Sequence, residues 1–159
     1  IRGKTLRIQL LEGLLHSDRR ARVEISYEQL SSIKASAGAK VFVLDTLVGS
    51  QLDFRAASGA LLEATVDAGN VKAYASEGGT LRLEGQAKTQ EATAATGGQY
   101  QGLGLDCARS YAKANTGGQV EVVANQFLDA NANTGGTIEY KGEPEERYTR
   151  SLISGDIRK

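Results

Sequence analysis

The chain has 159 residues, of which 19 are Lys or Arg and 19 are Asp or Glu, so its formal net charge is zero. A neutral chain gives no electrostatic reason to expect nucleic acid or an anionic membrane as a partner, and the lack of any run of 18 apolar residues predicts no membrane-spanning helix. With one Cys, one His and no CxxC motif, an internal disulfide is excluded, and we expect neither a metal nor a cofactor.

Residues 1–32 alternate apolar and polar side chains. The apolar members form two sets, Leu6, Ile8 and Leu10, then Val23, Ile25 and Tyr27. Alternation of this kind is typical of strands with one buried face, so we expect two irregular N-terminal strands joined by a polar loop that contains His16. The chain starts with Ile1 in the middle of this pattern, and we therefore expect a fragment or processed form of a longer protein whose export signal has been removed.

Residues 33–142 repeat a seven-residue phrase, with four copies of the form Ala-x-Ala-x-x-Gly-Gly preceded by two looser copies that begin with Ile33 and Phe54 and end in Gly-Ala. Its first glycine stands at Gly38, Gly59, Gly78, Gly97, Gly117 and Gly135, and a second glycine follows in four copies, at Gly79, Gly98, Gly118 and Gly136. The steps of 18 to 21 residues between copies are typical of a solenoid. They predict an all-β chain, a parallel β-helix with rungs of about 20 residues and a glycine corner in each rung.

The positions around each glycine predict which side chains face inward. The third residue before it is always alanine, at Ala35, Ala56, Ala75, Ala94, Ala114 and Ala132, and the third residue after it is large and apolar in every copy. Parallel strands lie about 4.8 Å apart and stack like side chains over one another. We therefore expect these alanines to touch, and we expect the variable step length to be absorbed on a less regular third side.

Residues 143–159 follow the last repeat and are expected to form a C-terminal cap. Leu152, Ile153 and Ile157 are the apolar side chains available to lie across the open end of the solenoid, which must be covered or paired. The whole chain, residues 1–159, is then one β-helix domain with irregular N-terminal strands, regular rungs and a cap.

The ordered series of phrases resembles a known family. It starts at Glu28-Gln-Leu-Ser-Ser-Ile33-Lys-Ala35-Ser-Ala-Gly38-Ala39 and ends at Gly135-Gly-Thr-Ile-Glu-Tyr140-Lys-Gly142-Glu-Pro144, and it is similar to the head GIN domain of auto-transporter adhesins. The resemblance implies a right-handed parallel β-helix and an exported protein of Bacteroidetes-like bacteria, in the periplasm, at the outer-membrane surface or outside the cell. The family offers no established catalytic residues to carry over.

Three aspartates suggest a binding edge. Asp45, Asp67 and Asp106 lie seven, eight and nine residues past their repeat glycines. Clustered carboxylates bind Ca²⁺ or act as acid and base in glycoside cleavage, but aspartate is also a common turn residue, and the turn interpretation is favoured.

Two outward columns of side chains are further candidates. One contains Glu63, Arg82, Gln101, Glu121 and Glu139, and the other contains Lys34, Arg55, Tyr74, Thr93, Lys113 and Asn131. A solvated sheet face is the simpler interpretation of both. The mixture of basic, aromatic and amide groups in the second column also suits an acidic glycan.

His16 beside Ser17 and Asp18 does not predict a catalytic triad, which needs oriented contacts in space. Cys107 is expected to be a small buried hydrophobe.

These observations favour a non-enzymatic exported module, an adhesin or cell-envelope scaffold. Its expected partner is a glycan or protein at the cell surface, and a homo-oligomer is compatible with the pattern. Two alternatives stay open at this point: a β-helix that binds or cleaves glycans, and a polymerising scaffold of the bactofilin kind that stacks end to end.

Overall fold

The computed structural model describes residues 4–9 and 22–159 and consists of strands and turns. The strands are β1 (Ser32–Ala35), β2 (Lys40–Phe42), β3 (Leu47–Ala56), β4 (Leu61–Ser76), β5 (Thr80–Ala95), β6 (Gln99–Asn115), β7 (Gln119–Val123), β8 (Phe127–Asn133), β9 (Thr137–Lys141), β10 (Glu146–Leu152) and β11 (Asp156–Arg158). Every strand pairing is parallel. The predicted parallel β-helix is confirmed. Residues 4–9 and 22–159 contain no helix with the length and apolarity of a membrane span.

Each rung has three sides, which we name by their position relative to the glycine corner. Face A precedes the corner and stacks residues 32–35, 51–56, 70–76, 89–95, 109–115, 127–133 and 146–152. Face B follows the corner and stacks residues 40–42, 61–65, 80–84, 99–101, 119–123, 137–141 and 156–158. A third side includes residues 47–49, 66–68, 85–87 and 105–107. Within residues 32–158, seven rungs are therefore stacked on faces A and B.

The core is a set of columns that run along the solenoid. The six alanines of the repeat pair in register from Ala35 to Ala132, and all six are buried. On face B the column from Leu62 to Ile138 is equally buried and includes Tyr100. Small side chains on face A opposite large ones on face B fill a narrow interior, which is why tertiary packing overrides the helix propensity of alanine here.

The corner between face A and face B is a tight turn with two successive residues at positive φ. In one copy these are Thr96 (φ 50°) and Gly97 (φ 70°), and the Gly98 amide donates to the Ala95 carbonyl across the turn. Positive φ at both central positions is the signature of a type I′ turn, so glycine at the second of them avoids a steric cost. The second glycine of the phrase allows close contact between rungs. A Cβ on Gly98 would fall closer than 3.0 Å to the backbone of Ala75 in the preceding rung.

The differences in step length fall mainly between face B and the third side, not on the third side as expected. Phe42 aligns with Glu63, whereas Leu47 aligns with Val66, so the first rung carries two additional residues in its 43–46 loop. The pairing of β5 with β6 also shifts register directly after Arg82. The third side has to keep its strands in register to stack. The corner between face B and the third side can bulge without breaking the ladder.

The N-terminal prediction is wrong for the residues that the structure describes. Segments 4–9 and 22–31 contain only an isolated bridge residue at Thr5 and no strand, and Leu6, Ile8 and Val23 are exposed. Alternation alone produces a strand only where a neighbouring strand completes the ladder, and the first rung here begins at Ser32. Leu10 and the His16 loop lie outside the described residues.

The C-terminal segment is a seventh rung and does not form a cap across the open end. Strand β10 pairs with β8 and β11 pairs with β9, and Ile153 and Ser154 adopt the positive φ of a corner. Leu152 and Ile153 are exposed. The inward positions of this rung on face A are Arg147, Thr149 and Ser151, which align with Leu128, Ala130 and Ala132. On face B, Ile157 aligns with Ile138 and packs against the core, so the seventh rung is polar on face A and apolar on face B.

Candidate binding surface

Face A presents a three-by-three array of outward side chains over its last three rungs, which we call the face A grid. Its rows are Arg109, Tyr111 and Lys113 on β6, then Phe127, Asp129 and Asn131 on β8, then Glu146, Tyr148 and Arg150 on β10. Alternate residues of a strand point to the same side about 7 Å apart, and neighbouring strands lie about 4.8 Å apart. The backbone ladder therefore holds nine side chains on one flat and rigid surface.

Three aromatic rings cross the grid from rung to rung. The ring centroid of Phe127 lies 5.3 Å from that of Tyr111 and 5.8 Å from that of Tyr148, with interplanar angles of 43° and 45°. Tilted pairs at these separations attract one another beyond their buried area. Tyr148 is 60% exposed, and the other two rings are half-buried. We call this set the aromatic ridge.

Three exposed cations surround the aromatic ridge. The guanidinium carbon of Arg109 lies 4.6 Å from the Phe127 ring centroid, a cation–π distance, while Lys113 and Arg150 extend from the far column. Among the ion pairs of residues 4–9 and 22–159, none involves these three cations. Of the two carboxylates in the grid, Asp129 accepts a 2.8 Å hydrogen bond from the Asn131 amide, and Glu146 lies at the edge.

Face B differs because its charges bind one another. Arg82 Nη1 lies 3.1 Å from Glu63 Oε1, and Arg82 also donates to Gln101 Oε1 at 2.9 and 3.0 Å. Near the end of the stack Arg158 pairs with Glu139 at 3.1 Å. Four of the five residues in this column, which was expected to be a solvated sheet face, are thus bound across the rungs, which leaves few polar groups there to attract a ligand.

The three candidate aspartates do not form one edge. Asp67 and Asp106 lie in one outward column with Gln86 between them, so they are two strand spacings or about 9–10 Å apart. Asp45 lies in the longer 43–46 loop and outside this column, where Val48 aligns with Asp67. Asp106 accepts a 2.6 Å hydrogen bond from Asn125. In the part of the chain that the structure describes, no three His, Cys, Asp or Glu side chains are grouped to hold a metal ion.

Cys107 is buried on the third side, as expected for a small hydrophobe. Burial is the main cause that raises the pKa of the Cys107 thiol above its usual value, and its sulfur lies 3.2 Å from the Arg109 carbonyl oxygen. A thiol with a raised pKa and little exposure is a poor nucleophile. Cys107 therefore belongs to the core and not to a reactive site.

The polar C-terminal rung borders a depression of about 440 Å³ lined by Tyr140, Arg147, Thr149, Ser151, Gly155, Asp156, Ile157 and Lys159. Within it Arg147 donates a 2.6 Å hydrogen bond to the Tyr140 hydroxyl, and Ser151 donates to the Gly155 carbonyl. Lys159 pairs with Glu143 at its rim. Arg147, Ser151 and Lys159 are therefore engaged with neighbouring groups of the chain.

One column of the grid was recognisable from the repeat, and the other two were not recognised. Lys113 and Asn131 belong to the column four residues before each repeat glycine, which was recognised. Tyr111 and Asp129 stand six residues before the repeat glycines, and Arg109 and Phe127 stand eight residues before them. The same count from the glycine, extended to six and eight residues, therefore predicts all four positions. Tyr148 was hidden because its corner, Ser154-Gly155, lacks the Ala-x-Ala phrase.

One solved structure gives the fold a precedent. The crystal structure of a "putative adhesin" from Bacteroides fragilis superposes with a TM-score of 0.72 at 19% sequence identity, over 81% of this chain and 60% of that chain. The chain thus spans about 60% of that neighbour's length, and at this identity the likeness concerns the fold. Its source agrees with the Bacteroidetes-like origin that the resemblance implies. No curated protein matches the chain.

The family is shown by a match that covers nearly the whole sequence. The model described as "Putative auto-transporter adhesin, head GIN domain" matches residues 1–144. The matched range includes the six glycine-cornered copies of the repeat. The chain therefore belongs to the head GIN domain family of auto-transporter adhesins.

Proposed function

We propose that the chain is a non-enzymatic, exported adhesin-like module that binds its partner at the cell surface through the face A grid. Its family is described by an adhesin domain, and the B. fragilis neighbour carries an adhesin description as well. One observation supports the choice of surface: the aromatic ridge and three unpaired cations share one flat patch of the described molecule. Tyrosine and arginine are among the residues most enriched where protein surfaces bind tightly.

The arrangement of reactive groups supports a module without catalysis. Asp67 and Asp106 lie two strand spacings or about 9–10 Å apart, at the far limit of the carboxylate separation in inverting glycosidases, and Asp106 is already held by Asn125. Cys107 is buried. A flat, regular ladder supplies contact area, whereas a hydrolase needs groups that converge on one bond.

The polar side chains on face A of the seventh rung are an observation against end-to-end stacking through that rung, as in a polymerising scaffold. End-to-end stacking would bring a further rung against Arg147, Thr149 and Ser151, whereas the preceding rung offers Leu128, Ala130 and Ala132 at these positions. Burying Arg147 there would desolvate its charge without a partner carboxylate. Light scattering at high protein concentration should accordingly show no growing filaments.

Flow cytometry of the labelled chain on intact bacterial and epithelial cells tests the proposal. Tyr148→Ser should remove most of the binding, while Phe42→Ser, which removes a similarly exposed aromatic ring from face B, should leave it unchanged. Equal effects of the two variants, or no binding to any cell, would place the function elsewhere. Release of reducing sugar from a polysaccharide, lost in Asp67→Asn, would contradict the absence of catalysis.

A further inference from the structure

Resting on the proposed function, we infer that the face A grid binds an acidic glycan, a chain of pyranose rings that carry carboxylates. The grid combines three features that such a ligand requires: aromatic faces for the sugar rings, paired donors and acceptors for hydroxyl groups, and free cations for carboxylates. Each feature is read from a different set of contacts on the same three strands.

The aromatic ridge suits the sugar rings. A pyranose presents C–H groups on its faces and hydroxyls on its rim, so it stacks on an aromatic ring and hydrogen-bonds at its edges. Tyr111 and Tyr148 lie in one column along the solenoid axis, about 9–10 Å apart, with Asp129 between them. Asp129 and Asn131 are already oriented by their mutual hydrogen bond and offer an acceptor and a donor beside the stacked rings.

The cations suit the carboxylates. Arg109 and Lys113 lie on either side of Tyr111 along β6, and Arg150 lies beside Tyr148 on β10. Arg109 is held over Phe127, so its guanidinium loses less freedom when it engages a carboxylate through two hydrogen bonds. With three cations against Asp129 and Glu146, the grid has a local charge of plus one in a chain of zero net charge.

Other macromolecules fit the grid less well. A stable protein interface buries about 800 Å² per partner around an apolar centre, whereas the apolar part of the grid is three rings, two of them half-buried. Nucleic acid would bring phosphates against Asp129 and Glu146 on a neutral protein. An acidic sugar chain carries its charges at intervals and leaves its apolar ring faces free.

A binding assay on immobilised polymers tests the inference. The polymers are polygalacturonate, alginate and hyaluronan, each compared with its carboxyl-reduced form, and poly-glutamate is the control for charge alone. The chain should bind at least one acidic polymer and lose about ten-fold or more on carboxyl reduction or in Tyr148→Ser. The triple variant Arg109→Gln, Lys113→Gln, Arg150→Gln should lose binding, whereas Lys40→Gln, Lys88→Gln, Lys141→Gln, which removes the same charge from other sides, should retain it. Raising NaCl from about 0.1 to about 1 M should weaken binding because screening shortens to about 3 Å.

The outcomes separate this inference from the proposed function. Binding to carboxyl-reduced polymers alone, or equal binding to poly-glutamate, would overturn the acidic glycan and leave an adhesin-like module. Cell binding that survives periodate oxidation of surface glycans but not protease treatment would identify a protein partner. That result would also overturn the acidic glycan and leave an adhesin-like module. If the chain binds cells but the two triple variants behave alike, the grid is not the glycan site. If it binds nothing, the proposed function itself fails.

Discussion

The Tyr100 hydroxyl donates a 2.9 Å hydrogen bond to Gln90 Oε1 inside the solenoid, where both side chains are fully buried. The Gln90 amide in turn donates to Ser110 Oγ at 2.9 Å and to the Val123 carbonyl at 3.0 Å. The network joins strands β5, β6 and β7. Gly102 makes room for it, because a Cβ there would overlap the Tyr100 ring. A polar network inside an alanine-rich core therefore fixes three neighbouring rungs against each other.

Tyr100→Phe removes the donor to Gln90 and leaves a buried carbonyl oxygen without its partner. We expect the free energy of unfolding, measured by urea denaturation, to fall by about 1–3 kcal/mol, the cost of an unsatisfied buried polar group. Tyr74→Phe, which removes a hydroxyl from an exposed ring, should change it by less than about 0.5 kcal/mol. Equal values for the two variants would mean that the Gln90 side chain does not depend on Tyr100.

The two glycines of one corner should respond differently to the same substitution. Gly97 has φ +70° and open space around a Cβ, whereas a Cβ on Gly98 would overlap the Ala75 backbone. Asparagine tolerates positive φ, so Gly97→Asn should be nearly neutral. Gly98→Asn should lower the free energy of unfolding by about 1–3 kcal/mol or more, as overpacking does. The reverse order in a thermal melt would show that φ, and not contact with the lower rung, limits this corner.

The regular part of the fold was predictable because one period determines both the corner and the inward face. The glycine at position 97 and the alanine at position 94 recur at fixed offsets, and stacking then follows from strand geometry. The irregular parts were not predictable in the same way. Two additional residues in the 43–46 loop move Asp45 out of its column, and only the three-dimensional register reveals that shift.

The candidate site was partly predictable for the same reason. The column that contains Lys113 was read from the repeat, but a binding surface also depends on neighbours across the sheet and on what each charge pairs with. Arg82 and Arg109 look alike in the sequence. In the structure Arg82 is held by Glu63 and Gln101, whereas Arg109 lies over Phe127 without a carboxylate partner among the described residues. That difference is a property of the folded surface.

Arg82 and Leu81, adjacent on β5, should contribute very differently to stability. Arg82→Ala breaks an exposed ion pair with Glu63 and should lower the free energy of unfolding by less than about 1 kcal/mol, an effect that 1 M NaCl reduces. Leu81→Ala removes a fully buried side chain and should cost about 2–5 kcal/mol. A larger cost for Arg82 in urea denaturation would show that face B pairing, and not the core, holds the rungs together.

Stability should fall at alkaline pH because two buried groups stay protonated in the folded chain. Burial raises the pKa of the Cys107 thiol above its ordinary value of 9.0, and burial, with a smaller effect from Cys107, raises the pKa of the Tyr100 hydroxyl above 10.0. Above these ordinary values the unfolded chain has released protons that the folded chain retains, so the free energy of unfolding decreases as pH rises. The decrease should begin near pH 9 and steepen past pH 10.

Denaturation between pH 7 and pH 11 separates the two groups when each variant is referred to its own value at pH 7. Cys107→Ala should flatten the decrease that begins near pH 9, and Tyr100→Phe should flatten the part above pH 10, because each removes one retained proton. Tyr74→Phe, which removes the hydroxyl of an exposed ring, serves as the matched control variant. A profile that keeps its full slope in the double variant would assign the alkaline loss to surface charges instead of the buried core.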